Sequence, residues 1–269
     1  KTRPKIIISQ AKYFEKIKRC NFLRDCEYFD IDKLGENRCT GKISRDVTEE
    51  DISTIIFTSG STSLPKGVKL KHKNVVNATK NIIKVLNWKE SDVDLNISAL
   101  THSFGLGHLH CAFAVGGSTV LFRDAINMKA ITDHLISGRI NIFGAVPTIL
   151  QLLVENYHEK LSKAGKHLRF IQTNQSSLER EMVKKILHLM PKTDFFYYYG
   201  LTEASRSTFI NFRKHPDKIG SIGRASPNVK IKIDPDTNEI SIKGKHVIEE
   251  YWENPEASQK ISSGWFKTS

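Results

Sequence analysis

Long apolar runs are missing from this chain of 269 residues. A membrane-spanning helix needs about 18 or more consecutive apolar residues. The most apolar segment, NIFGAVPTILQLLV at 141–154, is shorter and is broken by Pro147. Cysteine is scarce too. Cys20, Cys26, Cys39 and Cys111 form no CxxC pair, and their spacing fits neither a zinc ribbon nor a dense disulfide framework. A reducing, cytoplasmic setting is the expectation for such usage. The group His102, His108, His110 and Cys111 runs through two glycines. Without helical or hairpin spacing to aim the donors at one spot, it is not read as a metal site. There is no internal repeat and no low-complexity tail. The opening KTRPKIIISQ has no initiator Met and no apolar signal core, so it reads as the interior of a longer protein.

What is abundant is positive charge. Lys and Arg number 41 against 29 Asp and Glu, a net charge of +12. Such a surplus serves nucleic acid, an acidic membrane face, an anionic ligand or only solvation. The lysines are scattered rather than striped, and no finger, RNP-type or homeodomain-type pattern is present. A solvated surface is the better reading, with no nucleic acid partner. Hydrophobic content of 39% is that of an ordinary globular protein.

From residue 51 to about 200 two textures alternate. Short β-rich runs are STIIFTS (53–59), DLNISAL (94–100), STVLF (118–122), INIFGAV (140–146), LRFIQT (168–173) and DFFYYY (194–199). Helical periodicity lies between them. KNVVNATKNIIKVLN (73–87) and NMKAITDHLISGR (127–139) space apolar residues by three and four; PTILQLLVENYHEKL opens with Pro147, a favoured first-turn residue; SSLEREMVKKILHLM (176–190) offers a serine cap. Strands alternating with such helices predict an α/β fold, a mainly parallel sheet with helices on both faces. After about residue 207 short strands take over, and DPDTNE (234–239) reads as a turn between two of them. Three segments are expected: 1–45 as the end of a preceding α/β subdomain, 46–210 as the central α/β subdomain, and 211–269 as a small β-rich unit or partial barrel.

TSGSTSLPKG (58–67) has the composition of a linker but lies inside this compact region. It fails the Walker pattern, because Pro65-Lys66-Gly67 stands where Gly-Lys-Ser/Thr is required. Hydroxyls, backbone N–H groups and a lysine can still surround phosphate oxygens.

FTSGSTSLPKGVKLKHKNVV (57–76) resembles the phosphate-binding signature of the adenylate-forming (AMP-binding) enzymes, which include acyl- and aryl-CoA synthetases. YYGLTEASRSTF (198–209), GSIGRASPNVKIKI (220–233) and EISIKGKHVIEEYWENPEASQKISSGWFKT (239–268) are similar to the later signatures of that family, in its order. The resemblance implies the fold of a synthetase N-terminal domain and ATP-dependent activation of a carboxylic acid, giving acyl-adenylate and pyrophosphate, then a thioester. It implies ATP, Mg²⁺ and coenzyme A, or the phosphopantetheine of an acyl carrier protein. Thr58, Ser59, Gly60, Ser61, Thr62 and Lys66 would form the phosphate loop. Tyr199 beside Gly200 would stack on adenine, Thr202 would reach phosphate, and Glu203 would hold Mg²⁺. Lys66, Thr202 and Glu203 are thus the implied catalytic set.

LTHSFGLGHLHCAFAVGGSTVLF (100–122) resembles the segment lining the acyl pocket, with His102, Phe104 and Gly105 as implied substrate contacts. No acidic residue stands there to pair an α-ammonium, so an acid without an amino group is preferred over the substrate of a peptide-synthetase adenylation domain. His102 is open to a second reading as a structural histidine. Three departures stand out. Ser63 replaces a usual glycine, TNQSSL (173–178) replaces a Gly-Gly-Ala-Pro-Leu stretch, and the chain stops at Ser269 inside a further block. Asn174 and Gln175 would either narrow the nucleotide pocket or hydrogen-bond the base edge. The chain is therefore expected to be the central part of a synthetase, with a catalytically inactive nucleotide-binding relative as an alternative.

Overall fold

The run PKIIIS does form a strand. In the computed structural model, which describes residues 4–36, 46–58, 65–122, 124–174 and 178–268, β1 (Ile6–Ser9) pairs in parallel with β2 (Glu27–Asp30). A short helix, α1 (Phe14–Lys18), connects them in sequence. These belong to the first of two compact units, Lys1–Val47 and Thr48–Ser269. Residues 211–269 share the second unit with the central layers.

The second unit opens with an antiparallel pair, β3 (Ile52–Thr58) and β4 (Lys66–Lys71), whose register matches Thr58 to Lys66. Helix α2 (His72–Leu86) follows and is stopped by Asn87 in the left-handed region, at φ 52°. The parallel layer is then built from β5 (Val93–Asn96), α3 (Ser103–Val115), β6 (Ser118–Leu121), α4 (Met128–Ile136), β7 (Ile142–Gly144), α5 (Pro147–Asn156), α6 (His158–Ala164), β8 (Phe170–Asn174), α7 (Arg180–Leu189) and β9 (Asp194–Leu201). Strand β10 (Ala204–Asn211) turns back antiparallel on β9, and β11 (Arg224–Ala225) on β10. The sheet order is β11-β10-β9-β8-β7-β5-β6.

Alternate residues of these strands face opposite helical layers, as the two-residue repeat requires. Leu95, Phe143, Ile171 and Phe195 pack with α4 to α7, whereas Ile142, Phe170 and Phe196 pack with α2 and α3. Each such side chain contributes roughly 1.5–3 kcal/mol by leaving water. The C-terminal part supplies β12 (Lys230–Ile233), β13 (Ile240–Lys243), β14 (Tyr251–Trp252), the short helix α8 (Pro255–Ser258), β15 (Ile261–Ser262) and β16 (Trp265–Lys267). The DPDTNE segment is the turn between β12 and β13, where Asp234 Oδ1 accepts from the backbone N–H groups of Asp236 and Thr237.

Two expectations are corrected. β3 does not join the parallel sheet but forms a separate three-stranded sheet, β14-β4-β3. The segment from Ser103 is helical despite its glycines: α3 is apolar on most sides, Gly105 is buried against the Ser98 and Ala99 carbonyls, and Gly107 lies under the Arg206 side chain. Helix α7 begins at Arg180 with Glu179 at its N-cap position; the candidate cap serines Ser176 and Ser177 fall outside the described residues.

A charge network fastens the 249–250 segment to β4 and α2. Lys71 Nζ lies 2.8 Å from Glu50 and 2.5 Å from Glu249, and Lys73 Nζ repeats both pairings. Hydrogen bonds from Lys71 and Lys73 lower the Glu50 pKa from 4.5 to about 2, and Glu249 is lowered for the same reason. A depressed carboxylate pKa adds stability above the unfolded value, and that stability is lost as pH falls through the folded value. Thermal melts between pH 4.5 and 2 should therefore show a steep loss of stability, smaller in Glu50→Gln. An identical slope in the two proteins would remove the network from the account.

Candidate functional site

The hairpin between β9 and β10 is where the candidate residues meet. Gly200 sits at its end, and a Cβ there would collide with the backbone of Arg206 and come within 2.8 Å of the Ala204 carbonyl oxygen. Only glycine fits. The tightness of the turn projects Thr202 and Glu203 beyond the edge of the sheet. They line a pocket of about 270 Å³ together with Thr58, Ser103, Asn174, Tyr198, Leu201, Ser205 and Arg206.

Five residues named from the sequence are thus brought together: Thr58, Asn174, Gly200, Thr202 and Glu203. Lys66 is half-buried beside them as the cross-strand partner of Thr58. Ser59, Gly60, Ser61, Thr62 and Gln175 lie outside the described residues. Tyr199 is half-buried and packs against the C-terminal core, while its neighbour Tyr198 lines the pocket together with Asn174.

Glu203 is buried to 8% exposure. Its Oε1 accepts a hydrogen bond from the Tyr251 hydroxyl at 2.7 Å. Burial, and then the Glu203 charge, push the Tyr251 pKa upward, so the phenol stays a donor. Among the described residues no Lys, Arg or His lies within ion-pair distance of Glu203. A buried carboxylate is costly without a compensating cation. Oxygen donors of this kind suit Mg²⁺ better than a softer metal. The donor set fits the ion.

The α3 segment departs from expectation in which residues it presents. Phe104 is buried against Tyr198 and His108, and Gly105 is held by Asn96, whose side-chain amide donates to the Gly105 carbonyl at 2.8 Å. His102 is exposed at the N-cap position without a side-chain capping bond. The helix instead turns Ser103, Leu106, Gly107 and His110 toward a second, mainly apolar pocket. That is the spacing of one helix face, so the signal was available once the segment is read as helical. This second pocket runs between α2 and α3 and shares Ser103, Thr202, Ser205 and Arg206 with the first.

Nor do the histidines and cysteine of α3 converge. His108 Nδ1 pairs with the buried Asp94 carboxylate at 3.0 Å, His110 faces the apolar pocket, and burial pushes the Cys111 thiol up to about 12. No cluster of three or more metal-ligating side chains occurs among the described residues. No helix among the described residues is long and apolar enough to cross a membrane.

The α/β layer thus carries a pocket that gathers hydroxyls and a buried carboxylate, with Lys66 of β4 paired across from its Thr58. Residues 4–252 match the family of AMP-binding enzymes, and the chain belongs to that family. It is 29% identical over 245 residues to 4-coumarate-CoA ligase 1 of Narcissus pseudonarcissus, covering 83% of this chain and 44% of the relative. It is 25% identical over 280 residues to long chain acyl-CoA synthetase 5 of Arabidopsis thaliana, covering 81% of this chain and 42% of that protein. The chain thus spans about half the length of the curated relatives it matches, or less. In fold it is similar to ATP-bound MatB from Rhodopseudomonas palustris, at TM-score 0.86 and 21% identity over 99% of this chain and 56% of that one. It is also similar to the N-terminal domain of FACL13 from Mycobacterium tuberculosis, at TM-score 0.87 and 22% identity over 99% of this chain and 71% of the other. The fold is that of acyl-CoA synthetase N-terminal domains.

Tyr251→Phe should cost about 1–3 kcal/mol in urea unfolding, because it leaves a buried carboxylate without its donor. In the double variant with Glu203→Gln the two losses should fall well short of their sum. Strictly additive losses would mean that the 2.7 Å contact does not hold Glu203.

Proposed function

We propose that this chain forms the nucleotide-binding part of a ligase that activates a carboxylic acid with ATP and passes the acyl group to a thiol. The observation that carries the reading is the convergence of Thr58, Asn174, Gly200, Thr202 and Glu203 on one pocket, with a buried carboxylate that has no cationic partner among the described residues. In the first step a carboxylate oxygen of the acid bonds to the α-phosphorus of ATP, the bond from that phosphorus to the bridging oxygen breaks, and pyrophosphate leaves. In the second, a thiolate attacks the acyl carbon and AMP departs. ATP-bound members of this fold and the CoA ligases among the relatives support ATP, and coenzyme A as the thiol, over a carrier phosphopantetheine.

The chain's own residues contribute positioning and charge. Tyr251 fixes the rotamer of Glu203, so that the carboxylate faces the pocket before any ligand arrives. Thr202 offers a hydroxyl to a phosphate oxygen from the same turn. Lys66 supplies a positive charge directly across from Thr58 on the neighbouring strand. Magnesium ion held by Glu203 would neutralise charge on the phosphates. Preorganised groups of this sort act where charge develops in the transition state. An acid without an α-ammonium remains the preferred substrate class, since no carboxylate lines the face of α3 that meets the apolar pocket. The cysteine usage supports a reducing, cytoplasmic setting.

Thermal stabilisation by Mg·ATP tests the reading. A ligand confined to the native state at a hundred times its dissociation constant stabilises by about 2.7 kcal/mol. Such a shift is expected for this chain, with a large reduction in Lys66→Ala and little change in that variant's own melting temperature. Unaltered nucleotide affinity together with a collapsed melting temperature would assign Lys66 to the fold instead.

A further inference from the structure

Arg206 is the most unusual residue in the chain. It is 1% exposed, among the largest fully buried side chains, and its backbone lies in the left-handed region at φ 53°. For a non-glycine residue that conformation costs on the order of 1 kcal/mol or more, and such strain concentrates at functional sites. It falls where the β9–β10 register shifts between Ala204 and Thr208, an irregularity of the sort that re-aims a side chain. The re-aimed guanidinium lies 5.3 Å from the Phe104 ring centre and 4.9 Å from that of Tyr198. It sits over Gly107, where any Cβ would collide with it.

Its partners do not balance its charge. The two terminal nitrogens donate to the Ser103 carbonyl at 3.3 Å, the Phe104 carbonyl at 2.9 Å and the Ser205 hydroxyl at 3.2 Å. No carboxylate pairs with it among the described residues, and its Nε is buried with no hydrogen-bond partner. Burying a lone cation in this way is costly. The location deepens the puzzle, because Ser103 and Phe104 open α3, whose positive dipole end repels a cation. The helix has 13 residues, and its N-cap residue His102 offers no side-chain acceptor to the first backbone N–H groups, which have no partner within the helix. Two independent features, an unpaired buried guanidinium and an uncapped helix start, therefore meet at Ser103, on the boundary of both pockets.

We propose that Arg206 and the N-terminus of α3 form an anion subsite that selects acids carrying a second negatively charged group, with dicarboxylic acids as the chemical class. The proposal rests on the acid-activating reading above. The reacting carboxylate is the less suitable occupant. It surrenders its charge when the adenylate forms, so a fixed cation on it would stabilise the ground state over the transition state. A second anionic group keeps its charge throughout and is bound equally well at each stage.

The test is equilibrium binding to this chain, by calorimetry, of malonate, succinate and glutarate against propionate, butyrate and valerate, with Mg·ATP titrated separately. Charge-assisted bonds to a guanidinium should favour the dicarboxylate by about 10- to 100-fold over the monocarboxylate. Arg206→Lys, which keeps charge but loses the planar fork, should retain part of that ratio, and Arg206→Met should bring it near one. Equal affinities for both acid series in the unsubstituted chain would overturn the subsite even if Mg·ATP binds. An unchanged ratio in the variants with weakened ATP binding would assign Arg206 to the nucleotide and overturn it equally. Should Arg206→Met fail to fold, the ratio in Arg206→Lys decides. Absent Mg·ATP binding in the unsubstituted chain counts against the acid-activating reading alone.

Discussion

Three successive tyrosines on β9 pack into three different parts of the interior. Tyr197 joins the core beneath α4 to α7, Tyr198 the core beneath α2 and α3, and Tyr199 the C-terminal core. The strand is therefore gripped from every side just before it turns at Gly200. A site built on the end of such a strand inherits its rigidity, which is what a catalytic constellation needs. The hairpin turn can then hold Thr202 and Glu203 in place without a ligand. The Glu203–Tyr251 bond carries that rigidity across to the C-terminal segment, as does the pairing of β14 with β4.

The same geometry explains why two pockets of different character adjoin. The polar pocket collects the ends of β3, β8 and β9, where backbone and hydroxyl groups run out of sheet partners. The apolar one is the gap between α2 and α3, lined by Ile56, Leu70, Val75 and Leu106. Ser103, Thr202, Ser205 and Arg206 form their common wall. The acid activation proposed above needs such a junction of polar and apolar surfaces. Surface charge plays a different part, since several lysines are tied down in pairs with Glu50, Glu249 and Glu250.

Much of this was legible in the sequence, for identifiable reasons. The two-residue alternation of DFFYYY and the three-four spacing of 73–87 marked β9 and α2 to within a residue or two at their starts. The phosphate-loop and Tyr-Gly-x-Thr-Glu signatures point to Thr58, Gly200, Thr202 and Glu203, which line one pocket because short motifs keep their local geometry. Reading failed where tertiary context decides. Helix α3 has apolar residues on most faces and two glycines, so no amphipathic stripe announces it. The family resemblance points to Phe104 and Gly105 as pocket contacts, whereas the structure buries both and turns Ser103, Leu106, Gly107 and His110 toward the apolar pocket. Arg206 was invisible for the opposite reason. In ASRSTFINF it looks like a solvent-facing residue of a strand, and only the irregular β9–β10 pairing sends it inward.

The central claim is that nucleotide sits at the β9–β10 turn, and photolabelling of the chain with 8-azido-ATP and magnesium tests it most directly. The account predicts covalent label on peptides containing residues 170–174 or 194–206, displaced by excess ATP. Label confined to the lysine-lined groove around Lys230, Lys243 and Lys245, or insensitive to ATP, would contradict it.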